Sequence, residues 1–325
     1  MILFKNKIII LMISIYKFIV GISPKVEVLF RKLYWQNISI TSNFKPKNNG
    51  CPDKLVPVNF DLIIEDLKNR GISNGDLIIV HSSDNLLKIT EERPKEVINK
   101  LLNLIGLEGT LAMPVIRRYK GKTAQLNCEM DGTYTYNVNK TPILTGLLPR
   151  QLIQTKNVHV SRFPLNPLAA VGKFAKQMMT NNLEGENLLP HGINSSWKFC
   201  VDHNAIVVGL GVNLEHSLTI LHTIEDCLYP NWPIMNWYKQ ITFRILDIDF
   251  DQEVTVMERK AKWGMLYFAE MNFRRDLLKN NILTSSEIGG VQIEIVESRK
   301  LYNFLKEKNI QSNGYPYCIP KKYRR

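Results

Sequence analysis

The sequence of 325 residues lacks the short motifs of several common enzyme classes. It has no G-x-x-x-x-G-K-[ST] loop, no G-x-S-x-G elbow and no H-E-x-x-H pair, so it does not indicate a P-loop NTPase, an α/β-hydrolase or a zinc enzyme. Its five cysteines are scattered without a C-x-x-C, which argues against a disulfide framework and fits a reducing compartment. Only 15 prolines and 18 glycines are present, so the composition is not that of a low-complexity chain.

No apolar stretch reaches the ~20 residues that a membrane-spanning helix requires. The nearest approach is residues 8–22, which Lys17 interrupts and which no A-x-A-like cleavage site follows. Three interpretations stay open for this segment: a helix in the membrane interface, a short span, or an element docked on the protein's own surface. Residues 39–57 are polar and rich in Pro, Asn and Gly, which is typical of a linker.

The charge of the chain is unevenly distributed. Its 42 basic and 30 acidic residues give a net charge of +12. Residues 1–57 hold nine of the basic and two of the acidic residues, and residues 321–325 add four basic ones, so the body is close to neutral. The excess therefore favours membrane proximity at residues 1–40 and gives no support to nucleic-acid binding, for which no basic helix is visible.

From residue 58 the chain alternates helical and strand patterns. Buried strands are predicted at 76–80, 109–114 and 205–210, with helices at 59–70, 92–104, 144–154 and 218–227. Such alternation is typical of a three-layer α/β/α sandwich with a mostly parallel sheet. We expect an N-terminal segment and linker at 1–57, one domain at 58–310, and a basic C-terminal tail at 311–325 whose last residues, 320–325, are frayed.

One predicted strand ends at His81, Ser82 and Ser83. Ligands bind at the carboxyl ends of strands in α/β sheets, and a helix that starts there offers free backbone N–H groups. Ser82 or Ser83 either caps the next helix only, or caps it and also contacts a phosphate or pantetheine group.

Two further features contain candidate acid–base groups. His222 and Glu225 are three residues apart on a predicted helix and are therefore neighbours, as a general base and its orienting carboxylate would be. His191 lies in a loop rich in turn-forming residues, where functional groups are frequent. Spacing alone does not separate either feature from ordinary surface histidines.

At these same segments the sequence resembles the aminoglycoside 3-N-acetyltransferase family. The similar pieces occur in the family's order over most of residues 60–305. They are Gly75–Ser83, Leu107–Pro114, Thr141–Pro149, Pro164–Gly172, Gly192–Trp197, Thr219–Glu225 and Gly289–Val291.

The resemblance implies an α/β/α enzyme that transfers acetyl from acetyl-CoA to an amine of an amino sugar, without a metal. It implies catalytic roles for Glu225, for His222 in the same turn, and for His191 before the Gly192 segment. It also implies cofactor contacts at the segments that contain His81, Ser82 and Ser83, and Thr145 and Gly146.

The sequence departs from the family pattern in three blocks. Phe163 and Asn166 replace the two histidines of the family's His-Pro-x-His-Ser stretch. Ile143 and Arg150 replace a serine and a glutamate of the block that begins at Thr141, and Ser196 replaces a proline. The acceptor, a clinical aminoglycoside or a precursor of a surface polysaccharide, therefore stays open. The alternative hypothesis is a catalytically impaired homologue that only binds CoA or sugar.

Overall fold

The computed structural model describes residues 19–37, 57–119, 132–311 and 314–325. Its α-helices are α1 (Pro24–Gln36), α2 (Phe60–Asn69), α3 (Asp84–Thr90), α4 (Pro94–Ile105), α5 (Leu147–Leu152), α6 (Ser196–Asp202), α7 (Leu214–Ser217), α8 (Thr223–Cys227), α9 (Ala261–Tyr267), α10 (Glu270–Lys279) and α11 (Ser298–Gln311). Its strands are β1 (Leu77–Ser82), β2 (Thr110–Pro114), β3 (Thr133–Asn137), β4 (His159–Val160), β5 (Leu168–Gly172), β6 (Ile206–Leu210), β7 (Tyr238–Asp247), β8 (Phe250–Arg259), β9 (Leu283–Ile288) and β10 (Val291–Glu297). The predicted strands 76–80, 109–114 and 205–210 correspond to β1, β2 and β6.

A seven-stranded sheet in the order β4-β5-β2-β1-β6-β10-β9 forms the centre of the described chain. Successive residues of β1 face opposite cores: Leu77 and Ile79 belong to one, and Ile78 to the other. Helices α2, α4 and α5 contribute side chains to the core on the Ile78 side, and α6, α10 and α11 contribute to the opposite one. Burial on both faces explains why the central strands read as continuous apolar runs.

The prediction of a mostly parallel sheet is wrong. Within the seven-stranded sheet, as far as the structure describes the chain, β2–β1 and β1–β6 are parallel and the other four neighbouring pairs are antiparallel. The antiparallel pairing of β9 with β10 follows from a hairpin. Gly289 and Gly290 both have positive φ and form the tight turn between the two strands. Apolar runs indicate burial on both faces but not strand direction.

A second, smaller sheet in the order β3-β7-β8 packs its own core beside the first one. Strands β7 and β8 form a long antiparallel hairpin that ends at Arg259. The alternation of apolar and polar residues at 241–249 predicts the first strand of this hairpin, and no comparable pattern predicts the second.

Both ends of the described chain pack onto the body. Glu27 of α1 is buried, and its carboxylate accepts hydrogen bonds from the backbone N–H groups of Met271 (2.8 Å) and Asn272 (3.0 Å) at the start of α10. The C-terminal residues are not frayed as expected: Tyr317 and Ile319 are buried, and Arg324 bridges to Ile234. Residues 1–18 and most of the expected linker lie outside the described residues.

No helix in the described ranges is both long and apolar enough to cross a membrane.

Candidate active site

Two neighbouring cavities open beside the carboxyl ends of β1 and β2. The first has a volume of about 410 Å³ and the second of about 240 Å³, and Ile116 lines both. The first cavity is lined mainly by Val80, His81, Ser82, Asp84, Pro114, Leu144, Thr145, Gly146, Pro149, Val212, Ser217 and Thr219. The second is lined mainly by Arg117, Tyr119, Pro164, Leu165, Asn166, Pro190, His191, His222, Glu225, Asp226, Glu258 and Arg259. The candidate cofactor and catalytic residues thus line adjoining spaces.

Helix α8 places two consecutive buried carboxylates in the second cavity. The predicted helix 218–227 is in fact a 3-10 turn (Thr219–His222) that leads into α8, and this turn keeps His222 next to Glu225. His222 Nδ1 lies 2.8 Å from Glu225 Oε1, and the Tyr317 hydroxyl donates to the same oxygen at 2.6 Å. Glu225 is fully buried.

The second carboxylate, Asp226, binds the other histidine. His191 Nδ1 lies 3.1 Å from Asp226 Oδ2, and the His191 backbone N–H donates to that oxygen at 2.9 Å. The Tyr238 hydroxyl donates to Asp226 Oδ1 at 2.6 Å. Each carboxylate therefore holds one imidazole and one phenol. Asp226 is therefore the carboxylate that contacts His191, whereas the sequence analysis named Glu225 as the only orienting carboxylate.

Both Nδ1 atoms face carboxylates, so each neutral imidazole carries its proton on Nδ1 and leaves Nε2 free to accept. Around His191, Asn166 Nδ2 lies 3.3 Å from Nε2. Around His222, Arg259 Nη2 lies 3.4 Å from Nε2. The two rings have their centroids 5.4 Å apart. One imidazole thus faces a neutral amide and the other a cation.

Burial and charge together set the protonation of the His222 cluster. Burial lowers the pKa of His222, Glu225 works in the opposite direction, and Arg259 lowers it further. Burial would raise the pKa of the Glu225 carboxyl, but His222, Arg259 and Tyr317 outweigh burial and hold that pKa below its usual value. At neutral pH the cluster therefore contains a neutral imidazole between a carboxylate and a guanidinium.

His81 lines the first cavity as the penultimate residue of β1. Its Nε2 is buried and has no hydrogen-bond partner among the described residues. Burial lowers the pKa of His81 to about 4, so the ring is neutral at physiological pH. Its ring stacks on Trp197, with centroids 6.5 Å apart, and Trp197 also contacts His191 at 5.8 Å. One indole therefore separates the histidines of the two cavities.

Ser82 is the last residue of β1, and Ser83 caps α3. The Ser83 hydroxyl accepts a hydrogen bond from Leu86 N at 3.3 Å. The Ser83 backbone N–H donates to Leu210 O at 3.1 Å, and the Gly192 N–H donates to Leu189 O. Because both N–H groups are already bonded, neither is a ready donor to the negative charge that develops on the thioester oxygen. The cap is thus established for Ser83.

Thr145 and Gly146 form the opposite wall of the first cavity. The Thr145 hydroxyl donates to Pro114 O at 2.7 Å, which fixes this wall to the end of β2. Gly146 has φ +97°, and a Cβ at this position would lie 2.6 Å from Asp84 Oδ1. A glycine is therefore required for the close approach of Asp84, whose carboxylate accepts from Leu147 N at the start of α5.

The departures from the family pattern have structural partners. The Arg150 guanidinium donates to Ile143 O at 2.9 Å, so two departing positions of the Thr141–Pro149 block contact each other. Asn166 has φ +50°, which asparagine tolerates better than most residues, and its carbonyl accepts from Trp197 Nε1 at 2.8 Å. Phe163 is buried in the core of the smaller sheet.

Sequence reasoning missed Asp226, Tyr238, Arg259 and Tyr317. Asp226 had a weak signal, since it follows Glu225 directly. The others come from the β7–β8 hairpin and from the C-terminal segment, at positions distant in sequence. Nothing local marks them as partners of α8.

Comparison with known proteins identifies the family. The family model described as aminoglycoside 3-N-acetyltransferase matches residues 79–308. The chain belongs to the aminoglycoside 3-N-acetyltransferase family. Aminoglycoside N(3)-acetyltransferase IX of Micromonospora chalcea is 23% identical over 265 residues, which is 76% of this chain and 92% of that protein.

Solved structures of this family have the same fold. The crystal structure of aminoglycoside acetyltransferase AAC(3)-IIb superposes with a TM-score of 0.63 at 20% identity, covering 80% of this chain and 99% of that one. AAC-IIIb in a binary complex with CoASH has a TM-score of 0.63 at 18% identity, covering 81% and 99%. AAC-VIa bound to sisomicin has a TM-score of 0.63 at 15% identity, covering 80% and 100%.

Family membership makes this protein an acetyl-CoA-dependent N-acetyltransferase. Within the part of the chain that the structure describes, no group of three His, Cys, Asp or Glu side chains is placed to hold a metal ion.

Proposed function

We propose that this N-acetyltransferase acetylates an amine of an amino sugar with His191 as the general base. An amine attacks a thioester only when it is unprotonated, and sugar amines are largely ammonium at neutral pH. A neutral imidazole whose Nε2 is an acceptor can take that proton before attack. The amine nitrogen then bonds to the acetyl carbon, the C–S bond breaks, and the imidazolium returns the proton to the departing coenzyme A thiolate. The contact of His191 Nδ1 with Asp226 Oδ2 at 3.1 Å is the observation that carries this proposal.

His191 is a better base than His222 for an electrostatic reason. A proton on His222 Nε2 would face the guanidinium of Arg259 at 3.4 Å. A proton on His191 Nε2 would face the neutral Asn166 amide, while Asp226 stabilises the imidazolium from the other side. The acceptor's ammonium group would replace the Asn166 contact at Nε2.

We assign Glu225 and His222 to the electrostatics of the acceptor cavity. The Glu225 carboxylate is fully buried one residue from Asp226, and its negative charge favours a positive charge on the neighbouring His191 ring. His222 holds Glu225 Oε1 at 2.8 Å and so fixes where that charge lies.

The first cavity would hold the pantetheine arm. Its thioester supplies an electrophilic carbonyl when bound. His81, Ser82, Thr145 and Gly146 line the space, and the His81 ring contributes as a neutral group because burial lowers its pKa to about 4. Ser83 supports this wall through its cap.

Aminoglycosides are the first acceptor class to test, because AAC-VIa has been solved bound to sisomicin. The acceptor cavity suits an amine, since Glu225, Asp226 and Glu258 all line it. An amino sugar of a surface-polysaccharide precursor is the second class.

The decisive measurement is thiol release from acetyl-CoA with a panel of aminoglycosides and simple amino sugars. We expect turnover by the wild type and a loss of about 10²–10⁴-fold in kcat for His191→Ala. His159→Ala, at a half-buried edge-strand position, is the matched control and should retain full activity. CoA binding without turnover on any acceptor would instead support the impaired binding homologue.

We also propose that the protein associates peripherally with an anionic membrane surface through its N-terminal region. Ile22, Leu29 and Leu33 are 64%, 56% and 50% exposed although α1 is docked on the body. Lys25 of α1 and Arg324 of the C-terminal segment line one cavity, and Lys25 is one helical turn from Leu29. Exposed apolar groups next to cations suit anionic lipid headgroups.

Because Glu27 supports α10, the test should leave α1 in place. We expect the wild type to sediment with vesicles containing phosphatidylglycerol, and the double variant Leu29→Glu, Leu33→Glu to remain in the supernatant. Leu107→Glu is the control, since Leu107 is a 96% exposed leucine in a loop after α4. Equal sedimentation of all three proteins would refute membrane docking by α1.

A further inference from the structure

The C-terminal segment reaches into the catalytic cluster. Tyr317 is 4% exposed, and its hydroxyl donates to Glu225 Oε1 at 2.6 Å across 92 positions of sequence. The family model ends at residue 308, so Tyr317 lies beyond the matched part of the chain. A contact to the buried carboxylate of the site therefore comes from a segment that the family pattern does not include.

An aromatic cluster holds this segment in place. The Tyr317 ring packs against Trp237, with centroids 4.9 Å apart, and against Phe268 at 5.3 Å. The backbone also bridges Phe268 to Tyr317, and Cys318 N donates to Tyr267 O at 2.9 Å. Packing and backbone bonds thus fix the position of the phenol independently of its hydroxyl.

Arg259 determines the direction of the hydrogen bonds. Its Nη1 donates to the Tyr317 hydroxyl at 2.8 Å, and a guanidinium can only donate. The hydroxyl oxygen therefore accepts from Arg259, and its proton points to Glu225 Oε1. Burial raises the pKa of Tyr317 well above its usual value, and Glu225 raises it further although Arg259 opposes this, so the phenol keeps that proton.

Glu225 depends on these bonds for its position. Its Oε1 accepts from both Tyr317 and His222, while Oε2 has no hydrogen-bond partner among the described residues and lies 3.9 Å from Arg259 Nε. Without the Tyr317 hydroxyl, the carboxylate would keep His222 as its only hydrogen-bond donor.

We propose that Tyr317 is a positioning residue of the acetyl-transfer site, acting through Glu225, and that the C-terminal segment completes this site. The proposal rests on the proposed function, because it deepens the role given there to Glu225. Arg259 extends the same chain of hydrogen bonds, from guanidinium to phenol to carboxylate to imidazole.

The test compares Tyr317→Phe with Tyr315→Phe. Tyr315 belongs to the same segment, but its hydroxyl donates to Asp276 Oδ2 at 2.9 Å on α10, away from Glu225. We expect Tyr317→Phe to lower kcat about tenfold, as the loss of a hydrogen bond to a charged group implies, with the KM for acetyl-CoA unchanged. Tyr315→Phe should keep the wild-type kcat.

The pH profile separates positioning from a structural effect. A carboxylate that loses the phenol has a higher pKa and also holds a proton on His222 more strongly. A proton on His222 would place a positive charge in a ring whose centroid lies 5.4 Å from that of His191, and this charge would oppose proton uptake by the base. The acid limb of kcat/KM should therefore move to higher pH in Tyr317→Phe and stay unchanged in Tyr315→Phe. An unchanged acid limb, or equal losses in both variants, would overturn the proposal.

A second readout remains valid if the wild type turns over no acceptor, an outcome that would refute the proposed function alone. Imidazole nitrogen shifts measured by NMR report the titration of His222 directly. Tyr317→Phe should shift that titration upward, and Tyr315→Phe should not. Identical His222 titration in all three proteins would refute the positioning role whatever the activity.

Discussion

At the scale of single residues, the site is built from two adjacent carboxylates with parallel surroundings. Glu225 binds His222 and Tyr317, and Asp226 binds His191 and Tyr238. They differ in the group at Nε2, which is the Arg259 guanidinium for His222 and the neutral Asn166 amide for His191. One charged neighbour is thus enough to divide two similar histidine–carboxylate pairs into a candidate base and a candidate electrostatic support.

His81 should make the stability of the protein depend on pH. Burial lowers the pKa of His81 from its usual 6.5 to about 4. Below pH 6.5 the unfolded chain takes up a proton that the folded protein refuses until about pH 4. The free energy of unfolding therefore falls as pH decreases through this window, by about 3 kcal/mol in total.

The measurement is denaturant unfolding of the wild type and His81→Gln at pH 8 and pH 4.5. The wild type should lose most of those 3 kcal/mol relative to the variant between the two pH values. Parallel losses in both proteins would show that His81 becomes protonated without cost in the folded state.

At the scale of secondary structure, Gly264 of helix α9 leaves the space that the Arg259 guanidinium occupies. A Cβ at Gly264 would lie 2.9 Å from Arg259 Nη1, and the end of a flexible side chain can move away from it. Gly264 has an ordinary helical backbone, so alanine should stabilise α9 by about 0.5–1 kcal/mol. The same change should displace the guanidinium from Tyr317.

Gly264→Ala should therefore raise the melting temperature while lowering kcat severalfold. Calorimetry and thiol release on the same preparation measure both quantities. Arg259→Lys is the matched variant, because it removes the guanidinium fork without the helix gain and should lower kcat alone. A Gly264→Ala protein with the wild-type kcat would show that the position of Arg259 is not critical.

At the scale of the whole molecule, helix α1 and the C-terminal segment, the two ends of the described chain, meet on the body. Pro24 and Lys25 line the same cavity as Tyr317 and Arg324. Tyr317 lines this cavity and also donates a hydrogen bond to Glu225, so it connects the cavity to the acetyl-transfer cluster. The N-terminal helix and the C-terminal segment are thus parts of one packed structure.

Glu27 should stabilise the whole domain, although it precedes the family-matched region. Its carboxylate accepts from the backbone of Met271 and from Asn272 Nδ2 at 2.7 Å while buried. Glu27→Ala leaves these donors unpaired, so the free energy of unfolding should fall by about 1–3 kcal/mol. Denaturant titration measures this loss.

Glu65→Ala on α2 is the control, since Glu65 is exposed and its removal should change stability by no more than about 0.5 kcal/mol. Equal stability of Glu27→Ala and the wild type would mean that α1 is not energetically part of the domain.

The sequence predicted the elements that its own periodicity encodes. Strands β1, β2 and β6 and helices α2 and α4 were placed within a few residues, because burial on one or both faces leaves a local apolar pattern. Sheet direction was not predicted correctly, since the pattern of β10 is the same whether its neighbour is parallel or antiparallel. The β8 strand was missed because its alternation is weak and its residues are largely half-buried.

The sequence by itself determined the family and the co-substrate. It also determined that His222 and Glu225 are neighbours, since they are three positions apart on one helical turn. Only the tertiary structure decided which carboxylate holds which histidine, because His191 reaches Asp226 across 35 positions and Tyr317 reaches Glu225 across 92. Hydrogen bonds and charges act over a few ångströms of space. The residues that contact Glu225 and Asp226 come from a loop, a hairpin and the C-terminal segment. No local sequence pattern predicts that these three segments lie together.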